Sequence, residues 1–448
     1  MRIKRKFVLF FLYLFICLTA YTEGALAVPA LPKDPNWMVD KDIARAIQGW
    51  NQGHFMCEAP RGGYNEVTEN QKIVNSWGFR ARPMEEIKDL LPEPHYKILA
   101  QSRKCGTFRI NETLWNTVKP RGPLWGKYME QSRKNAGSVY LDEKGWLRNY
   151  SYGIPFLKLK EDDPLIALKL VWNFIKKFQD NDSQLRMATI TKDHKRYGKK
   201  FLSVNMTVRM NGRVRPDKHT VDGLYNPNPK KTEFMFCNPY VSPYNMRGVI
   251  PICTRFDDPD KDDDLMVYLP KERRLRRLSS TQRQNKTRSG SDWTLDTIGG
   301  FSGNVTHFNW TYMGRKELLI PVVAHSHCYY NPSGSLNGVD QYYQRRNCYV
   351  IKASYKKPEN MTDIILYLDP DLFSANYSIA CNMKGQDWLI QLITSSRDKN
   401  WFYTVYDQFA RDVLSGHSTQ LLFSYSGGMG YAVKDLALDK VLRAFSTR

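Results

Sequence analysis

Four arginines within five residues, Arg273-Arg274-Leu275-Arg276-Arg277, form the densest group of side chains able to recognise a ligand. On an extended strand Arg274 and Arg276 project to one face, and Arg273, Leu275 and Arg277 to the other. A guanidinium offers parallel N–H groups to phosphate or carboxylate, so Arg274 and Arg277 are candidates for an anionic head group. The competing assignment is internal pairing with Glu317, Asp292 or Asp296. Phe308, Trp310 and Tyr312 share strand parity and set three rings on one face, and Tyr349 is a further aromatic candidate on a later strand. Such rings either line a hydrophobic cavity or fill a core.

Other chemistries find less support. His325-Ser326-His327-Cys328 places two imidazoles on one strand face, but no further ligand is signalled, so no metal is expected. The acidic run 257–264 has the composition of a calcium loop without its glycine and distal glutamate, and reads as a solvated loop. The stretch 424–431 lacks the G-x-G-x-x-G spacing of a phosphate cradle and reads as a turn. No G-x-S-x-G elbow or H-E-x-x-H motif is present. The expectation is a protein with no catalytic residues and no cofactor.

The first residues set the compartment. Arg2, Lys4, Arg5 and Lys6 precede an apolar run over 7–20, and Ala25-Leu26-Ala27 offers small residues where a signal peptidase reads. The run is short of the ~20 residues that span a bilayer. Residues 1–27 are therefore expected to be a signal peptide cleaved after Ala27, with export to the periplasm of a Gram-negative envelope. A formal charge of +21 would suggest nucleic acid in a cytosolic protein. Export excludes that partner and leaves anionic lipid surfaces or acidic proteins. Beyond Cys17 seven cysteines remain, which permits up to three disulfides and leaves one thiol over.

Residues 28–137 read as an irregular, partly helical N-terminal extension, with short helices over 40–50 and 84–91. From residue 138 to the end the pattern is that of one antiparallel domain. A hairpin over 139–150 precedes a helix started by Asp163-Pro164 and running to 178. Strands follow at 201–210 and 213–215 around Asn211-Gly212, then at 265–269 and 274–278. Further strands fall at 308–313, 316–322, 346–355, 363–368, 375–382 and 388–394, the last four as a meander. A helix over 401–414, a strand over 420–425 and a helix over 435–445 complete the chain. Apolar residues on both faces of several strands predict a curved sheet with a covered concave side.

The stretch 265–388 carries Tyr268-Leu269-Pro270, the arginine cluster, Asp292, Asp296, Gly300-Phe301-x-Gly303, Phe308-x-Trp310 and Gly314-x-Lys316-Glu317. Arg345-Arg346, Tyr349 to Ala353 and Leu366-Tyr367-Leu368-Asp369-Pro370-Asp371 follow, with Gly153-Ile154-Pro155-Phe156 and Trp172-Asn173 upstream. Over roughly 150–395 this resembles domain-of-unknown-function family 1329, a long branch of the outer-membrane lipoprotein-sorting (LolA/LolB-like) superfamily. The resemblance implies a mainly β (α+β) half-barrel, a strongly curved antiparallel sheet with helices on its concave side, enclosing an apolar cavity. It also implies a non-catalytic role in envelope lipid transport or lipoprotein sorting, beside a resistance-nodulation-division-type exporter or an outer-membrane protein. An envelope hydrolase with an unrecognised carboxylate site, or a structural periplasmic scaffold, are the alternatives from other classes.

Overall fold

The computed structural model describes residues 80–82, 84–100, 108–111, 122–192, 197–258, 261–287, 289–324, 329–330, 336–337, 341–397 and 403–445. The leader, the helix expected over 40–50 and the His325–Cys328 motif lie outside them. Sixteen strands join in one sheet. In chain order they are β1 (Arg80–Arg82), β2 (Phe108–Asn111), β3 (Asp182–Lys192), β4 (Tyr197–Arg209), β5 (Thr232–Cys237), β6 (Tyr240–Ser242), β7 (Ile250–Phe256) and β8 (Asp264–Leu269). Then come β9 (Arg274–Leu278), β10 (Phe308–Ala324), β11 (Gln341–Tyr355), β12 (Met361–Leu368), β13 (Ala375–Asn382), β14 (Asp387–Arg397), β15 (Tyr403–Asp412) and β16 (Ser418–Gly427). The main path runs β10-β11-β12-β13-β14-β15-β16-β3-β4-β5-β7-β8-β9, antiparallel at each step. β6 pairs with β4, and the β1–β2 pair joins β11 through a parallel contact of β2.

The curvature follows from one chain of contacts. Eight strands separate β11 from β7 along the path. At ~4.8 Å per strand a flat sheet would hold them ~43 Å apart. Yet Tyr355, at the end of β11, donates its hydroxyl to Asp296 at 3.0 Å, and Arg283 donates to Asp296 at 2.6 Å and to Asp263 at 2.7 Å. Asp263 is in turn held by both arms of Arg255 on β7, at 2.9 and 2.8 Å. Three side chains bridge the two strands, so the sheet curls toward the face that carries them without closing. Burial alone would raise Asp263, but Arg255 and Arg283 outweigh it and hold the carboxyl below its ordinary value.

Both faces need cover because both are apolar. On β12, Ile364, Leu366 and Leu368 point into the concave side, while Ile365 and Tyr367 point to the convex side. The concave side is covered by α3 (Ile166–Ile175), which buries Ile166, Ala167, Leu170, Val171, Trp172, Asn173 and Phe174. A helix apolar nearly all round must be sandwiched, and α2 (Pro123–Asn135) with the ribbon Tyr140–Leu141/Leu147–Arg148 forms its outer layer. Asp163 accepts from the Leu165 amide at 2.8 Å just ahead of α3, which is shorter than the helix expected from Asp163-Pro164 to 178 and has no side-chain cap. Asn173 of α3 exchanges two hydrogen bonds with the backbone of Phe156, and Trp172 donates to the Gly145 carbonyl. The convex side is covered by α1 (Glu93–Ala100) and by α4 (Leu438–Phe445), one over each half of the sheet. Beyond Tyr349, where β11 leaves β12, the β10–β11 hairpin packs Leu318, Leu319, Ile320 and Tyr343 against Tyr377, Ile379 and Ile390 of the convex side.

Several expectations are corrected. The helix over 401–414 is β15, paired on both sides by β14 and β16. Asn211-Gly212 does not close a hairpin: β4 ends at Arg209, and its partners are β3, β5 and β6. The helix expected over 84–91 is a 3-10 segment, Met84–Leu90, and the α-helix behind it is α1. The strands expected at 308–313 and 316–322 are one strand, β10. The acidic run is not wholly solvated, because Asp263 is buried in the arginine network. Cys237, Cys253, Cys348 and Cys381 are free, buried thiols, so any disulfide draws on cysteines outside the described residues.

Two predictions follow from this packing. Replacing Arg283 by alanine leaves Asp296 without its guanidinium in the interior, which should cost about 3–5 kcal/mol. Urea denaturation of the purified variant measures this, and a loss below about 1 kcal/mol would refute the bridging role. His95 on α1 is buried against Tyr377, with Nε2 2.7 Å from the Gln391 carbonyl oxygen. Burial pushes its pKa down to about 4. Between pH ~6.5 and ~4 the unfolded chain takes up a proton that the fold refuses, so stability falls through that window, by up to about 3 kcal/mol, and not above it. His95→Gln should flatten this part of the stability–pH curve relative to the native protein; parallel curves would dismiss the assignment.

Candidate ligand site at the mouth of the half-barrel

The concave side holds an apolar layer bounded by β10 and β11, and its rim is aromatic. Phe308, Trp310 and Tyr312 pair with Tyr355, Ala353 and Ile351 of β11 and point inward with them. Phe301 stands edge-on to both Phe308 and Trp310, with ring centroids 5.1 Å away in each case. Phe308 also lies 4.3 Å from the Tyr355 ring. Phe308 is buried, whereas Trp310 and Tyr312 are half-buried toward the opening. Trp310 donates its indole N–H to the Val305 carbonyl at 2.9 Å.

A bulge then adds charge to this rim. β10 pairs Tyr312 with Ile351 and Arg315 with Tyr349, so Met313 and Gly314 oppose Val350 alone. Residues three apart on a regular strand face opposite ways, and the extra residue brings Arg315 back to the inner face beside Tyr312. Gly314 supplies the backbone this requires, with φ of 92°. The Arg315 guanidinium stacks 4.0 Å from the Tyr349 ring centre and donates to the Tyr349 hydroxyl at 2.6 Å. Its Nε donates to one oxygen of Glu161 at 2.7 Å, while the Tyr312 hydroxyl donates to the other at 3.0 Å. Burial first, and then Glu161, push the Tyr312 hydroxyl up to about 12. Glu161 belongs to the segment leading into α3, whose Leu157 and Leu159 pack on the apolar layer.

The structure thus brings Phe308, Trp310, Tyr312 and Tyr349 to one rim and adds Arg315 and Glu161, neither of which sequence reasoning singled out. The signal available was Gly314 inside a strand pattern. Arg274 and Arg277 sit apart from them on β9, the far edge of the sheet. Both are exposed, Arg277 pairs with Asp264 at 2.9 Å, and Arg276 pairs with Glu272. Glu317, Asp292 and Asp296 instead pair with Arg345, Lys286 and Arg283.

A second polar cluster lies on the same concave side. Asp292 accepts from Thr419 at 2.7 Å and Lys286 at 3.0 Å, with His417 Nδ1 2.5 Å away, and Lys286 also reaches Asp412. Most buried carboxylates are similarly matched: Asp369 by Arg346, Asp180 by Arg215, and Glu233 by Lys176. Asp182 departs from this rule; burial, with Asp180 nearby, pushes it up to about 6, and it lies on the convex side. Among the described residues no group of three or more His, Cys, Asp or Glu is arranged to hold a metal, and no helix is long and apolar enough to cross a membrane.

The placement of the β9 arginines has an energetic consequence. Exposed ion pairs contribute little, so Arg274→Ala and Arg277→Ala should each change stability by less than about 1 kcal/mol. Thermal melting of both variants checks this, and a loss of about 3 kcal/mol or more in either would reveal a buried partner.

Comparison with known proteins completes the description of the site. No curated protein matches the chain. Among solved structures, it is similar to a domain from Vibrio parahaemolyticus described as an outer membrane lipoprotein-sorting protein, at 13% identity and TM-score 0.46, covering 62% of this chain and 98% of that one. A DUF1329 family protein from Desulfovibrio piger is similar at 14% identity and TM-score 0.45, over 60% and 94% of the two chains. A LolA superfamily protein from Nitrosomonas europaea is similar at 12% and TM-score 0.36, over 60% and 92%. The model of the family described as "Protein of unknown function (DUF1329)" matches residues 80–438. With that match spanning most of its 448 residues, the chain belongs to the DUF1329 family.

Proposed function

We propose that this protein is a periplasmic lipid- or lipophile-binding protein, a non-catalytic carrier or accessory of envelope lipid transport or lipoprotein sorting. The observation that carries the reading is the concave apolar layer with its half-buried aromatic rim, covered by a helix that is itself apolar on several sides. The packing of α3 on β10 and β11 is of a kind an acyl chain could replace at equal density, since Leu170, Val171 and Phe174 share one buried apolar cluster with Ile351 and Ala353. At ~0.8 kcal/mol per buried methylene, one long chain supplies ample affinity without chemistry. The leader read from residues 1–27 supports delivery to the periplasm, and the family resemblance supports an exporter or outer-membrane protein as partner. The matching of most buried carboxylates with cations or hydroxyls weighs against the hydrolase alternative, which needs a free acid and base.

A scaffold without ligand remains the second reading, favoured by the way Phe301, Phe308 and Leu170 already fill the concave side. Titration with an environment-sensitive fluorescent fatty acid separates the two. Saturable binding at micromolar or better affinity, displaced by lipid, together with co-purification of lipid from the periplasm detected by mass spectrometry, is the expected result. A folded protein that shows neither would leave the scaffold reading in place.

A further inference from the structure

We propose that Arg315 and Tyr312 form an oxyanion site for the acidic head group of the bound lipophile, and that Glu161 fills this site as an internal substitute. This rests on the lipid-binding reading above and specifies where, and by what chemistry, the polar end of the ligand is held. Both donors address a single carboxylate, each bonding a different oxygen, which is the geometry that suits a carboxylate or a phosphate. Arg315 is pre-set for the task. Its guanidinium lies over the Tyr349 ring and its Nη2 is fixed on the Tyr349 hydroxyl, so little rotamer freedom is lost on capture. Glu161 is held far less tightly: its side chain is 55% exposed, against 29% for Arg315, and it lies outside any helix or strand. A carboxylate already half in water is easily exchanged for another anion.

The surroundings favour an amphiphile over a free anion. Trp310, Tyr312 and Tyr349 join the site to the apolar layer, so a ligand with its acid group on Arg315 can run its chain inward beneath α3. Because Glu161 lies in the segment leading into α3, an incoming acid would release that segment from β10 as it binds. Head-group capture and loosening of the cover thus become one event.

Competitive displacement of the fluorescent fatty acid tests the site, using a long-chain fatty acid, the fatty alcohol of the same length and a lysophosphatidic acid. In Arg315→Gln the two acids should weaken by about 10-fold or more, the range for a charge-assisted hydrogen bond, while the alcohol is unchanged. In Glu161→Ala both acids should tighten several-fold, because their internal competitor is gone. A preference for carboxylate or for phosphate within that pattern identifies the source of the oxyanion. Equal weakening of all three probes in Arg315→Gln, or unchanged or weaker acid binding in Glu161→Ala, overturns the head-group site while leaving the lipid-binding reading standing. Failure of the alcohol and both acids to bind the native protein overturns both.

Discussion

Arg283 donates to Asp296 through Nε and to Asp263 through Nη1, and these carboxylates are held by β11 and β7, which eight strands of the path separate. An open sheet has no hydrogen-bond ladder to fix how far it curls. Here the segment between β9 and β10 lies across the concave side, and its charges fix the closure. Such a buried network adds little net stability over an apolar replacement. Its effect lies in the penalty on any arrangement that separates the charges, because an isolated aspartate or guanidinium in that interior is far costlier than the pair. The concave volume, the depth of α3 and the position of the aromatic rim all inherit their geometry from this bridge.

The residues that place the chain in its family serve this frame. Gly300, with φ of 92°, would put a Cβ 2.9 Å from the Ala375 methyl, and a Cβ on Gly303 would meet the Phe308 ring at 2.7 Å. Both glycines let the bridging segment lie close against sheet side chains. Arg346 holds Asp369 and Asp371 at the turn between β12 and β13, and Asn173 locks α3 to the backbone of Phe156. Gly153 lies against Ser132 of α2, whose hydroxyl accepts from the Ile154 amide. These contacts specify a half-barrel with a helical cover and leave the ligand unspecified.

Much of this frame was legible in the sequence, and its omissions have physical causes. The strands β11 to β14 and the β8–β9 hairpin are runs of strand-forming residues between clear turn signals, and they pair antiparallel as the sequence implies. β3 carries no strand signal in the sequence, because polar Gln184, Thr189 and Thr191 are buried in it and its pattern does not alternate. In β15 the apolar residues recur at helical spacing, and the ladders on both of its edges override that local preference. The arginine cluster was legible as a strand but its place at the sheet edge was not, since edge position is a property of the whole topology. There the exposed charges meet a different need, discouraging β9 from pairing with another strand.

The rim shows how a shared frame leaves room for individual chemistry. The residues by which the chain resembles the family include Gly314, which makes the bulge, with Lys316 and Glu317 after it. Geometry at Gly314 decides only that residue 315 faces inward beside Tyr312 and Tyr349. What the side chain at 315 is then decides which charge the rim carries beside Tyr349. The arginine there, fixed by Tyr349, holds Glu161 together with the Tyr312 hydroxyl; a neutral side chain at the same place would leave that carboxylate to Tyr312 alone. Nothing in the spacing of the sequence places residue 315 beside Tyr312 and Tyr349; only the register of β10 on β11 does so.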